Sequence, residues 1–383
     1  MEQKNTEQTK ELETIIKSIE AKYAPDKRLE LFNIKGEVSE DEIVLKGETT
    51  SEAAYIELLS EVSKMRINLK DSIRVLPNKD LGEKQWGVAN HSVSDLRFHP
   101  THTSELVTQV LLGMPVKLLN RKNDWLQAQT PEGYIGWITK GSLHLLTKKE
   151  LNDYLKKPKI IVTNHYALSF SEPTSNAEPV SDIVIGNMLV IKNTLSDYYS
   201  VNYPDGRQAY ILKQDACMVY EWLSKIEITQ NSIVSTAKQF MGIPYVWGGT
   251  SSKGIDCSGF IKLVFFLHGI ITMRDASQQV KHGTEIDSIG NFDALQKGDL
   301  VFFGEKITEK RLDEKVVHVG IYIGNKRFIH ASENVHISSF DPNDSLYDEF
   351  NTNRYLRTMR YIGYEGSSGI ETITTNPFFL SLK

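Results

Sequence analysis

The chain has few cysteines, no long apolar run and no block of basic residues. Only two of its 383 residues are cysteines, Cys217 and Cys257, so a disulfide scaffold is excluded and each thiol stands alone. No apolar stretch approaches the roughly 18 residues that a membrane-spanning helix needs, and we expect no membrane span. The net charge of −5 and the lack of a Lys/Arg stripe argue against nucleic acid as a partner.

Signals for export and for metal binding are also missing. The first residues are polar, and no apolar segment typical of a secretion signal follows them. The sequence is therefore compatible with a cytoplasmic protein, and with a periplasmic or cell-envelope protein whose export signal has been removed. Closely paired ligands such as C-x-x-C or H-E-x-x-H are absent, so we expect no metal ion. We expect no organic cofactor either.

What the chain does contain is a loop rich in glycine and serine that leads directly into a cysteine. Residues 245–256 form this loop, and the residues between Cys257 and Gly269 are apolar on nearly every face. This pattern predicts a buried helix with Asp256 or Ser252 as its N-cap and Gly269 at its C-terminal end. Cys257 would then lie in the first turn, where the helix dipole favours a thiolate. A packed, unreactive cysteine is an equally good interpretation of the helix alone.

Two histidines follow on the last predicted strands. The alternation in residues 316–323 places His318 and Gly320 on one face of a strand. A three-residue connection at 324–326 would set His330 opposite Gly320, on the same face as His318. A two-residue loop would instead place the two histidines on opposite faces.

One cysteine and two histidines can form a catalytic triad. His318 would accept the proton of Cys257, giving a thiolate–imidazolium pair, and would later protonate the leaving amine. His330 would orient His318, as a carboxylate or an asparagine does in other triads. Backbone N–H groups at the start of the helix, including that of Cys257, are the expected oxyanion donors.

The N-terminal 85 residues have an α+β pattern. A helix is predicted over 8–24, followed by two strands and a second helix that begins at Thr50 or Ser51 and ends at Met65. Its predicted inward side consists of Ala54, Ile56, Leu58, Leu59 and Val62. No catalytic constellation is visible here, so we interpret the segment as a packing or spacer domain.

Short strands at roughly 8–12-residue spacing begin near residue 86 and indicate small β barrels. A repeat with an offset of 73 residues relates Pro131–Gly133 to Pro204–Gly206 and Trp137 to Tyr210. We therefore predict an N-terminal segment at 1–85, barrels at 86–147 and 148–225, and a last domain at 226–383. The last domain would begin with a helix capped by Ser232 and ending at Phe240.

Together these features resemble the NlpC family of peptidoglycan cysteine peptidases, which have a reordered papain-like core. The resemblance covers about residues 230–362 and implies an α+β fold. A papain-like cysteine peptidase domain would follow two SH3-like β barrels and the N-terminal α+β segment. The matching motifs are Pro244-Tyr245-x-Trp247-Gly248-Gly249, Asp256-Cys257-Ser258-Gly259-Phe260, Gly298-Asp299-Leu300, His318-Val-Gly320-Ile-Tyr322 and Ile329-His330-Ala331.

Two barrels ahead of the peptidase resemble the γ-D-glutamyl-L-diamino acid endopeptidases, the dipeptidyl-peptidase VI subgroup. The resemblance implies hydrolysis between γ-D-Glu and diaminopimelate or lysine in wall peptides with a free N-terminal L-Ala, during wall recycling or turnover. It also implies that Glu105 and Tyr134 of the first barrel hold the free amine, although Tyr134 could equally differ from the second copy by drift. The other implied peptide-binding residues are Tyr245, Trp247, Asp256, Ser258 and Asp275.

The residues around the nucleophile raise two further points. A carboxylate at Asp256 would oppose thiolate formation at Cys257 unless a cationic amine or another donor offsets it. The resemblance implies that Asp256 binds the ammonium of L-Ala, and the alternative is that Asp256 only caps the helix. Ala276 stands where the subgroup often has serine, so one polar contact is expected to be missing or moved to Ser277.

Two alternatives remain beside this interpretation. One is a less selective endopeptidase that acts on intact cell wall. The other is a wall-binding protein whose barrels carry the function and whose peptidase domain is vestigial. In each case we expect a monomer.

Overall fold

The computed structural model describes residues 2–39, 41–309, 311–380 and 382, in an α+β arrangement. Its N-terminal segment is a three-stranded sheet with two helices. β1 and β2 are antiparallel, whereas β2 and β3 are parallel and connected through a helix. The elements are α1 (Glu2–Tyr23), β1 (Phe32–Val38), β2 (Glu42–Thr49), α2 (Glu52–Ser63) and β3 (Asn68–Val75).

Helix α2 begins as its sequence predicts but turns one predicted core residue outward. The side chain of Ser51 accepts the backbone N–H of Ala54, so Ser51 is the N-cap. Leu58 and Val62 are buried. Ile56 was expected inside and is 60% exposed, because residues two positions apart lie on different sides of a helix.

Two seven-stranded sheets follow, and their strands repeat at the predicted offset. In the first sheet, β8 (Trp125–Gln129) and β9 (Ile135–Thr139) begin and end 73 residues before their counterparts in the second, β15 (Tyr198–Asn202) and β16 (Gln208–Leu212). Gly133 and Gly206 occupy matching turns with φ of 86° and 95°. The first sheet consists of β4 (Trp86–Ala89), β5 (Val93–Arg97), β6 (Leu106–Leu111), β7 (Pro115–Lys122), β8 (Trp125–Gln129), β9 (Ile135–Thr139) and β10 (Leu143–Leu146).

A short helix, α3 (Lys148–Lys156), connects the first sheet to the second. The duplicated fold is confirmed by these strand bounds, while the domain boundaries at 147 and 225 stay a prediction. The second sheet consists of β11 (Lys159–Val162), β12 (Ala167–Phe170), β13 (Pro179–Ile183), β14 (Met188–Thr194), β15 (Tyr198–Asn202), β16 (Gln208–Leu212) and β17 (Ala216–Met218).

In the C-terminal part, a central helix, α6 (Cys257–Phe266), packs on strand β23 (Lys315–Gly324) of a six-stranded sheet. In order, its elements are α4 (Val219–Ser224), α5 (Gln230–Gln239), β18 (Thr250–Ser251), β19 (Gly254–Ile255), α6 (Cys257–Phe266), β20 (Ile270–Thr272), α7 (Ala276–Gln279), β21 (Thr284–Asp287), β22 (Leu300–Glu305), β23 (Lys315–Gly324), β24 (Arg327–Ala331), β25 (Val335–Ser339), α8 (Glu349–Asn353), β26 (Tyr355–Arg360) and β27 (Ile370–Thr372).

The N-cap predicted for α5 is wrong by three residues. Thr229 caps the helix, and Ser232 is the third helical residue, whose hydroxyl accepts the backbone N–H of Thr229. This reciprocal pair is a capping box. Across the described residues, no helix combines the length and apolar character needed to cross a membrane.

The hairpin of β23 and β24 has the predicted register, but its turn is shorter than predicted and a bulge precedes it. Its turn has two residues, Asn325 and Lys326, with φ of 53° and 56°, not the three that the sequence suggested. A bulge between Tyr322 and Gly324 adds the missing residue, so Ile321 pairs with Ile329. Gly320 therefore lies beside His330, as expected.

Candidate active site

Cys257 is the first residue of the buried helix α6. The Asp256 carboxylate caps this helix by accepting the Gly259 N–H at 2.7 Å, and it also accepts the Gly248 N–H at 2.9 Å. Of the two N-caps that the sequence left open, Asp256 is therefore the cap. Ser252 instead donates its hydroxyl to the carbonyl of His165.

The pKa of the Cys257 thiol is raised rather than lowered. Burial raises it to about 12, and the neighbouring Asp256 carboxylate adds to this, while Arg274 and the backbone N–H groups of Val319 and Ser258 oppose it. We expected the helix start to favour a thiolate and the Asp256 carboxylate to oppose it, and the raised pKa favours the neutral thiol. Burial and the adjacent carboxylate outweigh the helix terminus.

His318 and His330 are joined by a hydrogen bond on the adjacent sheet. Their Nε2 and Nδ1 atoms are 2.7 Å apart, and His330 Nε2 is 3.0 Å from the hydroxyl of Ser338. Burial lowers the pKa of His318 to about 3 and that of His330 well below its ordinary value, helped by nearby positive groups. Both shifts favour neutral imidazoles, so the thiolate–imidazolium pair stays a prediction for the protein with its substrate bound.

With neutral rings, the direction of this chain of hydrogen bonds depends on the tautomer of each histidine. If His318 donates its Nε2–H to His330, its Nδ1 is an acceptor that is available for a proton from a thiol. His330 then donates its own Nε2–H to Ser338. The residue after His318, Val319, directs its N–H toward the Cys257 thiol, which places the nucleophile next to this strand.

Asp256 is paired with a buried cation that the sequence did not single out. Arg274 donates to both of its carboxylate oxygens, at 2.6 and 3.1 Å, and also to the hydroxyl of Ser258 at 3.0 Å. Both charged side chains are buried. A carboxylate buried beside a thiol needs such a partner, and this requirement was the one available signal for Arg274.

A pocket of about 290 Å³ opens beside the nucleophile, between the first barrel and the peptidase part. The indole N–H of Trp247 donates to the carboxylate of Glu105 at 2.7 Å, and the hydroxyl of Tyr134 donates to Asp275 at 3.1 Å. The pocket brings together Cys257 and all seven residues expected to bind peptide, namely Glu105, Tyr134, Tyr245, Trp247, Asp256, Ser258 and Asp275.

The N-terminal segment also reaches this pocket. Arg28, between α1 and β1, lines the pocket and donates to Asp275 at 2.8 Å and to Ser277 at 3.0 Å. Residues 1–85 therefore contribute a side chain to the pocket, which their interpretation as a packing or spacer domain did not include. Arg28 and Asp275 are 247 positions apart, so no local pattern in the sequence could have joined them.

Within the described part of the chain, no three His, Cys, Asp or Glu side chains are grouped as ligands of a metal ion would be.

Two family models match this chain. The NlpC/P60 family model matches residues 242–360, and the model of the bacterial dipeptidyl-peptidase SH3 domain matches residues 96–143. The first match covers the helix of Cys257 and both histidines, and the second covers most of the first barrel.

Similar proteins extend the match over most of the chain. Dipeptidyl-peptidase 6 of Lysinibacillus sphaericus is 30% identical over 264 residues, which are 67% of this chain and 92% of that protein. Gamma-D-glutamyl-L-lysine dipeptidyl-peptidase of Bacillus cereus is 29% identical over 282 residues, 71% of this chain and 81% of that one. The crystal structure of an NlpC/P60 family protein from Bacillus cereus matches with a TM-score of 0.61 and 25% identity, over 72% of this chain and 99% of that one.

A cysteine at the start of a buried helix and hydrogen-bonded histidines on the adjacent strands define a cysteine peptidase. The family match and the relatives then identify the family of this peptidase. The chain belongs to the NlpC/P60 family.

Proposed function

We propose that this peptidase hydrolyses the bond between γ-D-Glu and diaminopimelate or lysine in peptidoglycan-derived peptides with a free N-terminal L-Ala, releasing L-Ala-γ-D-Glu. The observation that carries the proposal is the pocket, because Glu105 and Tyr134 of the first barrel line it together with Cys257. The relatives from Bacillus cereus and Lysinibacillus sphaericus are a gamma-D-glutamyl-L-lysine dipeptidyl-peptidase and a dipeptidyl-peptidase 6, which supports the same activity.

The proposed reaction begins with the neutral thiol and imidazole. His318 takes the proton of Cys257 at Nδ1 while the sulfur attacks the γ-carbonyl carbon. The imidazolium that forms donates its Nε2–H to His330, and backbone N–H groups at the start of α6 stabilise the oxyanion. His318 then protonates the leaving amine of the diamino acid, which leaves a thioester on Cys257. Water, deprotonated by His318, hydrolyses this thioester and restores the thiol.

Charge in the pocket supports recognition of a free amine. Asp256 is paired with Arg274, and Asp275 is paired with Arg28. Among the described residues that line the pocket, Glu105 is the carboxylate without a cationic partner. We therefore assign the substrate ammonium to Glu105, with Tyr134 beside it.

Replacement of the nucleophile tests the proposed reaction. We expect Cys257→Ala to abolish release of L-Ala-γ-D-Glu from L-Ala-γ-D-Glu-diaminopimelate, measured by mass spectrometry, because no other group can form the thioester. Cys217→Ala is the matched control, since Cys217 lies in the second barrel and outside the pocket. A wild-type protein that leaves the reduced assay peptide intact would refute the proposal.

The alternatives have distinct consequences. A less selective endopeptidase would also digest intact cell wall, but the wall that the first barrel adds to the pocket favours short peptides. A vestigial peptidase has no need for the hydrogen-bonded row of His318, His330 and Ser338. The compartment, cytoplasm or cell envelope, and the monomeric state stay predictions.

A further inference from the structure

Arg28 is held in the pocket wall by residues from two parts of the chain. Its Nε and Nη2 donate to the two carboxylate oxygens of Asp26 at 2.8 and 2.7 Å, and its Nη1 donates to Asp275 and Ser277. Asp26 also accepts the side-chain amide of Gln278 at 2.8 Å. The guanidinium group is therefore fixed in place between the N-terminal segment and helix α7.

The backbone of this segment is fixed to the first barrel as well. The carbonyl of Arg28 accepts the N–H of Ile135 at 2.8 Å, and the carbonyl of Leu29 accepts the side-chain amide of Gln129 at 3.0 Å. Both partners lie on the strands that flank the turn before Tyr134. The segment thus forms a third wall of the pocket, beside the first barrel and the peptidase part.

Of the two guanidinium groups that line the pocket, only that of Arg28 is accessible. The side chain of Arg274 is 2% exposed and is occupied by Asp256 and Ser258, whereas that of Arg28 is 35% exposed. Four of the five N–H groups of Arg28 have acceptors. Its second Nη2 proton and the hydroxyl proton of Ser277 have no acceptor in the described part of the chain. Two adjacent donors therefore remain available on the pocket wall.

We propose that Arg28 and Ser277 bind the free α-carboxylate of the γ-linked D-glutamate and thereby select glutamate over its amidated form, isoglutamine. This inference rests on the proposed function. A γ-linked glutamate keeps its α-carboxylate, which offers two oxygen acceptors and a negative charge to these donors. An α-amide is neutral and turns an NH₂ group toward one of these donors. One hydrogen bond is therefore lost, and a donor of Arg28 or Ser277 is left unpaired.

The neighbouring carboxylates keep Arg28 charged without filling its last donor. Burial lowers its pKa, but Asp26 and Asp275 reverse this and raise the pKa above its ordinary value. Glu105 and Arg28 thus give the pocket one acceptor for an ammonium and one donor for a carboxylate. The L-Ala-γ-D-Glu portion of the substrate carries one of each.

The test compares two peptides that differ in one group, L-Ala-γ-D-Glu-L-Lys and L-Ala-γ-D-isoglutaminyl-L-Lys. For the wild-type protein we expect kcat/KM to favour the glutamate peptide by roughly tenfold or more, the size of one charge-assisted hydrogen bond. Arg28→Gln should bring this ratio close to one, mainly by raising KM for the glutamate peptide. Arg28→Lys, which keeps a point charge, should retain part of the ratio.

Lys27→Gln is the matched control, because it removes the same charge from the adjacent residue, which pairs with Glu20 instead. It should keep the wild-type ratio. Ser277→Ala leaves the contacts of Arg28 with Asp26 and Asp275 in place and should lower the ratio severalfold. This variant still tests the proposal if Arg28→Gln does not fold.

Two outcomes separate this inference from the proposed function. Equal cleavage of both peptides by the wild-type protein would overturn the role of Arg28 while the proposed reaction stands. Cleavage of neither would refute the proposed function itself. A preference that survives unchanged in Ser277→Ala, and in Arg28→Gln wherever that variant folds, would also overturn the inference.

Discussion

At the scale of single residues, the chemistry around Cys257 depends on compensation of charge. Asp256 is needed as the N-cap of α6, but its carboxylate lies beside the thiol and raises the thiol pKa. Arg274 neutralises it from a fully buried position. The sequence predicts the carboxylate and the need for a compensating cation. It does not predict which cation, because the partner follows 18 residues later, beyond the helix.

Removal of this buried cation should lower the stability of the protein more than removal of a surface charge would. We expect Arg274→Met to lower the free energy of unfolding by about 3–5 kcal/mol, because the Asp256 charge is then buried without a partner. Asp256→Asn in the same background should recover much of this loss, since asparagine still caps a helix and carries no charge. Chemical denaturation of both variants measures the difference. A double variant no more stable than Arg274→Met would contradict this role of the pair.

At the scale of elements, local patterns predict α6 and the histidine hairpin well. An apolar run that begins at a capping residue specifies a buried helix, and alternation specifies the face of a strand. The two-residue turn and the bulge before it were missed, because loop length and bulge position offset one another and leave the same register. The place of residues 26–28 could not be predicted, since it depends on contacts with distant elements.

Contact between the N-terminal segment and α7 should weaken in acid. Burial tends to raise the pKa of Asp26, but hydrogen bonds from Arg28 and Gln278 lower it to about 2, below its ordinary 3.8. A carboxyl group with a lowered pKa adds stability above its unfolded-state pKa and loses it as the pH falls toward the folded-state value. The stability advantage of the wild-type protein over Asp26→Asn should therefore be full above pH 4 and vanish toward pH 2.

Chemical denaturation across this pH range measures that advantage. Glu61→Gln, which removes a surface carboxylate paired with Lys64, is the control for the loss of a carboxylate, because a surface ion pair contributes little to stability. An advantage of the wild-type protein over Asp26→Asn that does not depend on pH would contradict the linkage.

At the scale of the whole molecule, the site exists because three separate parts of the chain meet around one pocket. The buried side chain of Gln109 in the first barrel accepts the N–H of Thr250 at 2.9 Å and the hydroxyl of Ser251 at 3.1 Å. Close by, Gly248 lies directly against the carbonyl of Leu106, where an added Cβ would be 2.3 Å from the oxygen. The first barrel thus packs against the loop that leads to the nucleophile.

A methyl group at Gly248 should disturb this contact between the first barrel and the loop. We expect Gly248→Ala to lower Tm and to raise KM for the tripeptide, because the Leu106 carbonyl and the loop must move apart. Gly242→Ala is the matched control: Gly242 has a φ of 83°, close to the 80° of Gly248, but no atom within 4 Å of an added Cβ. Both variants carry the same backbone strain, so equal effects would contradict a steric role for Gly248.

The most direct test of the whole account is a paired digest of L-Ala-γ-D-Glu-diaminopimelate and the same peptide with its amine acetylated, followed by mass spectrometry. We expect only the free peptide to be cleaved, because acetylation removes the charge that Glu105 binds and adds bulk against the first barrel. Equal cleavage of both peptides would contradict the role of the barrel in substrate selection, and cleavage of neither would contradict the proposed reaction.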